Sequence, residues 1–289
     1  MTSGETGRQN GSAEPPDGAG PGGSSGGNGA GAGFAHVPIG AVEVMAVDEA
    51  ELLDHVAAEW RRGRGGAIVT ANVDIVRAAT RDPALADLVT RSEIVVADGM
   101  PVVWAARLAG LALPCRITGA SLVHSLAGRA ARENRSVYLL GGEPGIPEAA
   151  ARVLAGRSPG LRVAGTCSPP FGFESTPEGV REVVTEVVAA APDLVLAGLG
   201  FPKQERIIAA LRTELPGAWY LGCGAGIPMA AGRFRRAPEP VQRMGAEWLY
   251  RLALEPRRLA RRYLRDDAPF AVTLLAGALR TRLTSRHRT

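Results

Sequence analysis

The sequence predicts a doubly wound α/β domain with a mostly parallel sheet, followed by a basic helical appendage. Short apolar runs alternate with amphipathic stretches through the middle of the chain, which is the pattern of that architecture. Some runs are almost wholly apolar, as in strands that are covered by helices on both faces. With 289 residues, of which 46% are hydrophobic, the chain is long enough to bury a full core.

Six strands and several helices can be placed in order. The strands are expected at Ala67–Thr70, Glu93–Ala97, Ser136–Leu140, Leu161–Gly165, Leu194–Gly198 and Ala218–Leu221. Three helices have recognisable starts, because Asp48 is a good N-cap, Pro147 suits a first helical turn, and Thr176-Pro177 combines both signals. We expect the second of these helices to end near Arg157 and the third before Pro192.

The domain is expected at residues 34–236, between two different ends. Residues 1–33 are rich in Gly, Pro and Ser and have almost no large apolar side chain, so we expect a disordered tail. They show no basic start followed by an apolar core, so no secretory signal is expected. The sequence also lacks an uninterrupted apolar stretch of about 18 residues, so a membrane-spanning helix is not expected.

The net charge of +4 conceals an uneven distribution. From residue 251 onward there are ten arginines and three acids, whereas the residues before it carry 23 basic and 26 acidic side chains. The basic character therefore belongs to the appendage, residues 237–289. A nucleic-acid-binding fold would spread basic residues over a binding face, so nucleic acid is not an expected partner.

Apolar and basic residues alternate at helical spacing in the appendage. The apolar set is Trp248, Leu249, Leu252, Leu259, Tyr263 and Leu264, and the basic set is Arg251, Arg257, Arg258, Arg261, Arg262 and Arg265. A more apolar stretch, Pro269–Leu279, follows. A basic amphipathic helix with Trp and Tyr suits the surface of an anionic membrane. The alternative is a helical cap packed on the domain, but the density of arginine favours the membrane.

The cysteines and histidines give no sign of a metal site. Cys115, Cys167 and Cys223 form no CxxC pair, and the four histidines do not cluster. We therefore expect a reduced, cytoplasmic protein with small buried cysteines, no bound metal and no cofactor. A DxD pair is also missing, so the charge of a diphosphate would have to be met by lysine, arginine and backbone amides.

Polar residues follow the first two strands, at the sheet edge where ligands of parallel sheets bind. Thr70 and Asn72 end the first strand, and they can cap the next helix or hydrogen-bond a polar substrate. Asp98 directly follows the second strand. It can cap a helix at Val102, or act as a general base whose pKa burial would raise. Because several strand ends point to the same face, we favour catalysis.

Glycines follow three further strands. Gly141 and Gly142 can let backbone N–H groups approach a phosphate, although the GxGxxG spacing of dinucleotide sites is missing. The segment from Gly222 to Gly226 can line the same crevice or serve as a plain turn. Lys203, the only lysine among 33 basic residues, follows Gly198 and Gly200 and is either a ligand contact or a surface residue. These features indicate an enzyme that binds a phosphate-bearing ligand, with a nucleotide favoured.

Six stretches in order resemble the WecG/TagA/CpsF family of bacterial glycosyltransferases: TANVDIV, EIVVADGMPVVWAARL, RITGASLV, VYLLGGEPGIPEAAA, PDLVLAGLGFPKQE and AGRFRRAPEPVQRMGAEWLYRLALEPRRLARRYL. The resemblance covers residues 37–264. It implies a Rossmann-like domain and an inverting, metal-independent transfer of N-acetylmannosamine or its uronic acid. The implied donor is a UDP-sugar, and the acceptor is a polyprenyl-diphosphate-linked sugar at the inner face of the cell membrane. The implied pathway makes surface polysaccharide or glycolipid.

The resemblance also implies roles for the matching residues. Asp98 is the base for the acceptor hydroxyl, with Thr70 and Asn72 near the reaction centre. Gln204 helps to bind the donor, Lys203 is a charge partner for its diphosphate, and the other substrate-binding positions are Gly141, Gly142, Gly198, Gly200, Glu205 and Arg236. The lipid diphosphate meets Arg116, Arg251, Arg257, Arg258, Arg261 and Arg262. The appendage touches the membrane and can complete the active site.

Two departures from the family pattern leave the donor sugar open. Ser121 stands where the family often has an acid, and Ile227-Pro228 stands where it usually has Phe-Asp. Whether the protein forms a homo-oligomer is open as well. Two other functions compete with sugar transfer: a nucleotide-dependent oxidoreductase, which the missing GxGxxG disfavours, and a non-catalytic membrane adaptor.

Overall fold

The computed structural model describes residues 33–234, 237–238, 241, 247–254, 256 and 260–286. The described residues belong to one compact unit. The expected disordered tail lies outside them, except for Gly33.

An antiparallel hairpin that is absent from the predicted elements comes first. Strands β1 (His36–Ile39) and β2 (Val42–Met45) pair around the two-residue turn Gly40-Ala41. Gly40 has φ +61°, which L side chains rarely adopt, so glycine suits this turn. The alternate residues Val37, Ile39, Val42 and Val44 are buried against the domain.

Six parallel strands form the central sheet, as predicted. They are β3 (Gly66–Ala71), β4 (Ile94–Ala97), β5 (Ser136–Leu140), β6 (Arg162–Cys167), β7 (Leu194–Ala197) and β8 (Trp219–Gly222), in the order β4-β3-β8-β7-β5-β6. The observed ends agree with the predicted ones to within two residues, and those of β5 are identical. β3, β4, β7 and β8 are buried along their whole length, which explains their nearly continuous apolar sequences.

Helices connect the strands and cover both faces. They are α1 (Glu49–Arg61), α2 (Val73–Arg81), α3 (Pro83–Thr90), α4 (Met100–Leu108), α5 (Gly119–Arg132), α6 (Ile146–Arg157), α7 (Pro177–Ala190), α8 (Lys203–Glu214) and the short α9 (Gly226–Ala230). The three predicted starts are confirmed: Asp48 forms a capping box with Glu51, Pro147 lies in the first turn of α6, and Thr176 caps α7.

Alternate strand residues divide the core into three clusters. On one face, Ile68, Val96 and Leu139 pack with α1, α5, α6 and α9. On the other face, α2, α3, α4 and the hairpin cover β3 and β4, while α7 and α8 cover β5, β7 and β8. This is the layering of a doubly wound, Rossmann-like fold, and the predicted class is confirmed.

The C-terminal part forms helix α10 (Glu247–Leu254) and then a π-helical segment, Arg261–Asp267, that continues into α11 (Ala268–Arg286). Helix α11 packs on α4, and Leu274 is buried in the same cluster as the hairpin. Its Val272, Leu279 and Leu283 are exposed. Over the described ranges, no helix has the length and apolar character that crossing a bilayer requires.

The cysteines depart from one expectation. All three are free, but only Cys223 is buried, whereas Cys115 and Cys167 are half-buried. Cys167 lies on β6, an edge strand of the sheet, which explains why it remains partly accessible.

Candidate active site

A cavity of about 390 Å³ opens at the carboxyl ends of β3, β4 and β8. The chain passes from β3 to the edge strand β4 and then crosses to the strands on the other side of β3. The order in which the strands are connected therefore changes direction between β3 and β8. Ligands of doubly wound sheets bind at this kind of switch point. The floor includes Cys223, Ala225 and Gly226, and the walls come from the start of α4 and from the C-terminal segment, with Met100, Pro101, Trp104, Tyr263, Asp267, Ala268, Ala271, Val272 and Leu275.

Asp98 lies in this cavity, directly after β4. Its backbone N–H donates to Ala71 O at 2.9 Å, which extends the β3–β4 pairing by one step. Its carboxylate accepts a hydrogen bond of 3.4 Å from the backbone N–H of Gly119, the first residue of α5. This bond holds the carboxylate at the N-terminus of α5, on the edge of the cavity.

The alternative role of Asp98, as the cap of a helix at Val102, is wrong. Helix α4 begins at Met100, its N-cap is Gly99, and no side chain caps it. Gly99 has φ +111°, so the backbone turns sharply between the strand and the helix. The carboxylate of Asp98 is directed to the start of α5 instead.

Asn72 and Thr70 differ in their position relative to the cavity. Asn72 lines it and is also the N-cap of α2, because its side-chain oxygen accepts from Ile75 N at 3.0 Å. Thr70 is buried below the floor, with its hydroxyl 3.5 Å from Gly222 O. A Cβ added to Gly119 would lie 3.2 Å from the Thr70 hydroxyl and 3.1 Å from Cys223 Cα. Thr70 thus packs where β3, α5 and the loop after β8 meet.

Arg116 lines the cavity and joins the domain to α10. Its guanidinium donates to Glu247 at 3.1 Å, and both side chains are about 85% buried, at 15% and 13% exposure. A second link on the same side runs from Arg77 to Asp267 at 3.3 Å, and Arg77 also pairs with Asp74. The cavity thus contains the carboxylates of Asp74, Asp98, Glu247 and Asp267 and the single guanidinium of Arg116 among its described lining residues.

The glycines that follow β5, β7 and β8 lie beside one another with no room for side chains. A Cβ on Gly141 would lie 2.8 Å from Gly198 O, and a Cβ on Gly198 would lie 2.9 Å from Gly224 O. Gly141, Gly142 and Gly200 have φ of +108°, +99° and +81°. The missing side chains let the three loops pack closely, and the N–H groups of Gly141 and Gly198 donate to Cys167 O and Leu140 O at 2.8 and 2.7 Å.

Lys203, Gln204 and Glu205 occupy two different environments. Lys203 forms an ion pair with Glu174 and lies 5.5 Å above the ring of the exposed Phe171. Gln204 and Glu205 are buried, at 3% and 4% exposure. The oxygen of Gln204 accepts from Gly200 N and from Gly224 N, both at 3.1 Å. None of these three side chains lines the described cavity.

Several predicted contacts cannot be placed. Arg236, Arg257 and Arg258 lie outside the described residues, and so do the side chains of Arg251 and Arg262. Arg261 is exposed on the π-helical segment. Within the described ranges, no three His, Cys, Asp or Glu side chains are grouped as a metal site would require. Ser121 lies in the first turn of α5, where its backbone N–H donates to the hydroxyl of the N-cap Thr118 at 3.1 Å, and Ile227 is fully buried.

The sequence reasoning missed several cavity residues. Trp104, Thr118 and Glu247 fall inside the quoted stretches, so the signal was available but was not assigned to a site. Tyr263 also falls inside them, whereas Asp267 lies beyond them and only tertiary packing brings it beside β3 and β4.

Comparison with known proteins decides the family. The profile of the Glycosyl transferase WecG/TagA/CpsF family matches residues 37–284. The chain belongs to this family. The glycosyltransferase is 30% identical over 212 residues to the N-acetylglucosaminyldiphosphoundecaprenol N-acetyl-beta-D-mannosaminyltransferase of Bacillus subtilis (strain 168). The similarity covers 73% of this chain and 79% of that protein.

A second relative supports the same class. The glycosyltransferase is 28% identical over 225 residues to a protein of the same name from Bacillus spizizenii (strain ATCC 23059 / NRRL B-14472 / W23). The similarity covers 78% of this chain and 85% of the relative. The expected enzyme class is therefore confirmed, against the oxidoreductase and the non-catalytic adaptor.

Proposed function

We propose that this glycosyltransferase moves an N-acetylmannosamine-like sugar from a UDP-sugar to a GlcNAc unit on a polyprenyl diphosphate. The observation that carries the proposal is Asp98, a carboxylate in a cavity at the switch point of the sheet, held at the start of α5. The printed names of the two relatives, which specify a GlcNAc-diphospholipid acceptor and a mannosaminyl group, support the choice of substrates.

The proposed reaction is a single displacement with inversion and without a metal. Asp98 takes the proton of the acceptor hydroxyl while the oxygen of that hydroxyl bonds to the anomeric carbon of the donor. The bond from that carbon to the diphosphate breaks, and its electron pair leaves with UDP. Asn72 lines the cavity with Asp98, so its amide is suited to hold a sugar hydroxyl, while the buried Thr70 supports the floor.

The donor is proposed to lie over the row of glycines after β5, β7 and β8. The N–H groups of Gly141, Gly198 and Gly200 already donate to Cys167 O, Leu140 O and Gln204 Oε1, so these glycines are proposed to shape the edge on which the diphosphate lies. Gly142 is proposed to approach the diphosphate directly. Lys203 adds a positive charge at the same edge, and Arg236 is proposed to do so as well. Gln204 and Glu205 are buried, so their contribution to donor binding is proposed to be indirect.

The acceptor is proposed to approach from an anionic membrane surface at the inner face of the cell membrane. Trp104 and Val272 line the cavity and are 39% and 67% exposed, so the rim is apolar. Leu264, Leu279 and Leu283 are exposed on the same C-terminal segment. Arg116 and the arginines at positions 251, 257, 258, 261 and 262 are proposed to meet the lipid diphosphate and the lipid headgroups.

The central test is Asp98→Asn with UDP-N-acetylmannosamine and a short-chain GlcNAc-diphospholipid. We expect normal folding and normal UDP binding by calorimetry, with kcat reduced by about 10² to 10⁴, because general base catalysis contributes that much. Asp74→Asn is the matched control, since Asp74 lines the same cavity but pairs with Arg77. It should keep kcat within a few-fold of the wild type.

Two results would contradict the proposal. Unchanged kcat in Asp98→Asn would remove Asp98 as the base. Absence of UDP release by the wild type, across a panel of UDP-sugars and with the acceptor present, would remove the proposed reaction itself.

A further inference from the structure

The side chains of Gln204 and Glu205 form a buried unit between two of the glycine loops. The oxygen of Gln204 accepts from the N–H groups of Gly200, after β7, and of Gly224, after β8. Its NH₂ group donates to Glu205 Oε1 at 2.9 Å. An amide has one acceptor end and one donor end, so the bond to Glu205 fixes which end faces the two loops.

Burying the carboxylate of Glu205 at this position costs folding free energy. Glu205 is 4% exposed, and its second oxygen, Oε2, has no hydrogen-bond partner among the described residues. Burial raises its pKa to about 7, although the hydrogen bonds from Gln204 and from the backbone act in the opposite direction. A leucine at this position would avoid these costs but could not accept a hydrogen bond from Gln204.

The strand that carries the second loop leaves no space for another arrangement. A Cβ on Gly222 would lie 2.6 Å from Gln204 Nε2 and 3.0 Å from Glu205 Oε1. The backbone of β8 therefore packs directly on the pair. This packing fixes where the Gln204 amide lies, while the bond to Glu205 decides which end of the amide faces the loops.

The loop after β8 connects the buried pair to the cavity. Cys223, Ala225 and Gly226 form part of its floor, and Cys223 packs on Gly119, where an added Cβ would lie 3.1 Å from Cys223 Cα. The N–H of Gly119 is the group that bonds to Asp98. A continuous set of contacts thus runs from Glu205 through Gln204 and the loop to the carboxylate of Asp98.

We propose that Glu205 is a positioning residue for sugar transfer, which orients the Gln204 amide and thereby holds the loop after β8 against the start of α5. Glu205 itself does not touch substrate. The inference rests on the proposed function of Asp98, because its consequence is the placement of that base.

The test compares Glu205→Leu with Glu205→Gln in the full-length protein. Gln keeps an oxygen that accepts from Gln204, whereas Leu has none. We expect Glu205→Leu to lower kcat by about tenfold or more, since misplacement of reacting groups by about 1 Å costs more than that, while KM for the UDP-sugar changes less than threefold. Glu205→Gln should restore kcat to within about threefold of the wild type.

Tyr220→Phe is the control for simple destabilisation. Tyr220 lies on β8, and its hydroxyl donates to Leu211 O and Leu215 O at the C-terminal end of α8. Gln204 and Glu205 lie at the N-terminal end of the same helix. This variant should lower the melting temperature and leave kcat unchanged.

Each outcome supports or contradicts the positioning role of Glu205. Normal kcat in a folded Glu205→Leu would overturn the inference, and so would an equal loss of kcat in Glu205→Gln and Glu205→Leu. If Glu205→Leu does not fold, a kcat in Glu205→Gln more than tenfold below the wild type overturns it, and near-normal kcat supports it. The proposed function fails separately, by absence of turnover in the wild type.

Discussion

Asn72 combines a structural and a proposed chemical task in one side chain. It caps α2 through Ile75 N and also faces the cavity. Loss of the cap in Asn72→Ala should cost about 1 kcal/mol of unfolding free energy. Asn72→Asp keeps an oxygen for the cap but loses the NH₂ donor.

The two variants separate these tasks when unfolding in urea and kcat are measured on the same preparations. We expect Asn72→Asp to retain the stability of the wild type and to lose at least tenfold in kcat, because the donor to the sugar is gone. Wild-type turnover in Asn72→Asp would show that Asn72 serves only as a cap.

Glu205 should make stability depend on pH. Its pKa is about 7 in the folded protein against an ordinary value of 4.5, so the folded state binds more protons between these values. The stabilisation from this group is fully present below about pH 4.5 and is lost as pH rises to about 7. The total loss is about 3 kcal/mol, because each unit of pKa is worth about 1.4 kcal/mol.

The measurement is the difference in unfolding free energy between the wild type and Glu205→Gln, from urea titrations at pH 5, 6 and 8. Other titrating groups cancel in this difference. Cys223 faces Glu205 from the loop after β8, but burial raises its pKa to about 12, so it does not titrate in this range. A difference that stays constant from pH 5 to pH 8 would contradict the prediction.

At the scale of elements, the ion pair between Arg116 and Glu247 fastens α10 to the wall of the cavity. A diphosphate that binds Arg116 must compete with the carboxylate of Glu247. Glu247→Gln should therefore strengthen binding of inorganic pyrophosphate by at least about fivefold, since even an exposed ion pair is worth up to about 1 kcal/mol. Calorimetric titration measures the change directly.

The control for overall charge is Glu178→Gln, which removes an exposed carboxylate on α7. It should leave pyrophosphate affinity unchanged. Equal or weaker binding in Glu247→Gln would show that Glu247 does not compete for Arg116.

The strands of the sheet were predictable because both faces are covered, which forces apolar residues at nearly every position. The hairpin was missed because His36–Ile39 and Val42–Met45 are only four residues each, with alternate positions exposed. A usable signal was present in Gly40-Ala41, a Gly-X pair between two alternating runs.

The site was predictable to a different depth at each residue. Asp98 was found because it is adjacent to a strand end, and adjacency in sequence fixes its place at the sheet edge. The burial of Gln204 could not be predicted from the sequence. An amide that follows a glycine turn can bind a ligand or can hydrogen-bond two neighbouring loops, and the two cases have the same sequence pattern. Contacts with Asp267 depend on packing over a long sequence separation.

At the scale of the whole molecule, the basic and apolar groups of the C-terminal segment are arranged for a membrane surface in our proposal. Arg261, Arg265 and Arg280 are exposed there. Replacing all three with Gln should weaken binding to vesicles that contain anionic lipid by about 100-fold, because each arginine near such a surface contributes about 1 kcal/mol. Sedimentation with vesicles at low and high salt measures the effect.

A matched variant replaces Arg91, Arg157 and Arg181, which are exposed at the end of α3, on α6 and on α7, respectively. It removes the same charge from other surfaces and should bind vesicles as the wild type does. Equal weakening by the two triple variants would show that net charge, not the C-terminal segment, governs the interaction.

The buried contact between the hairpin and α11 has a consequence for biosynthesis. A Cβ added at Gly40 would lie 3.6 Å from Leu274 Cδ1, so the first described strands pack directly against the last helix. The hairpin is made early and can pack on β3, β4 and α4 soon afterwards, whereas its contact with Leu274 forms only when α11 has been made. Since α11 is also a wall of the cavity, the cavity is complete only once α11 has left the ribosome and packed on the domain.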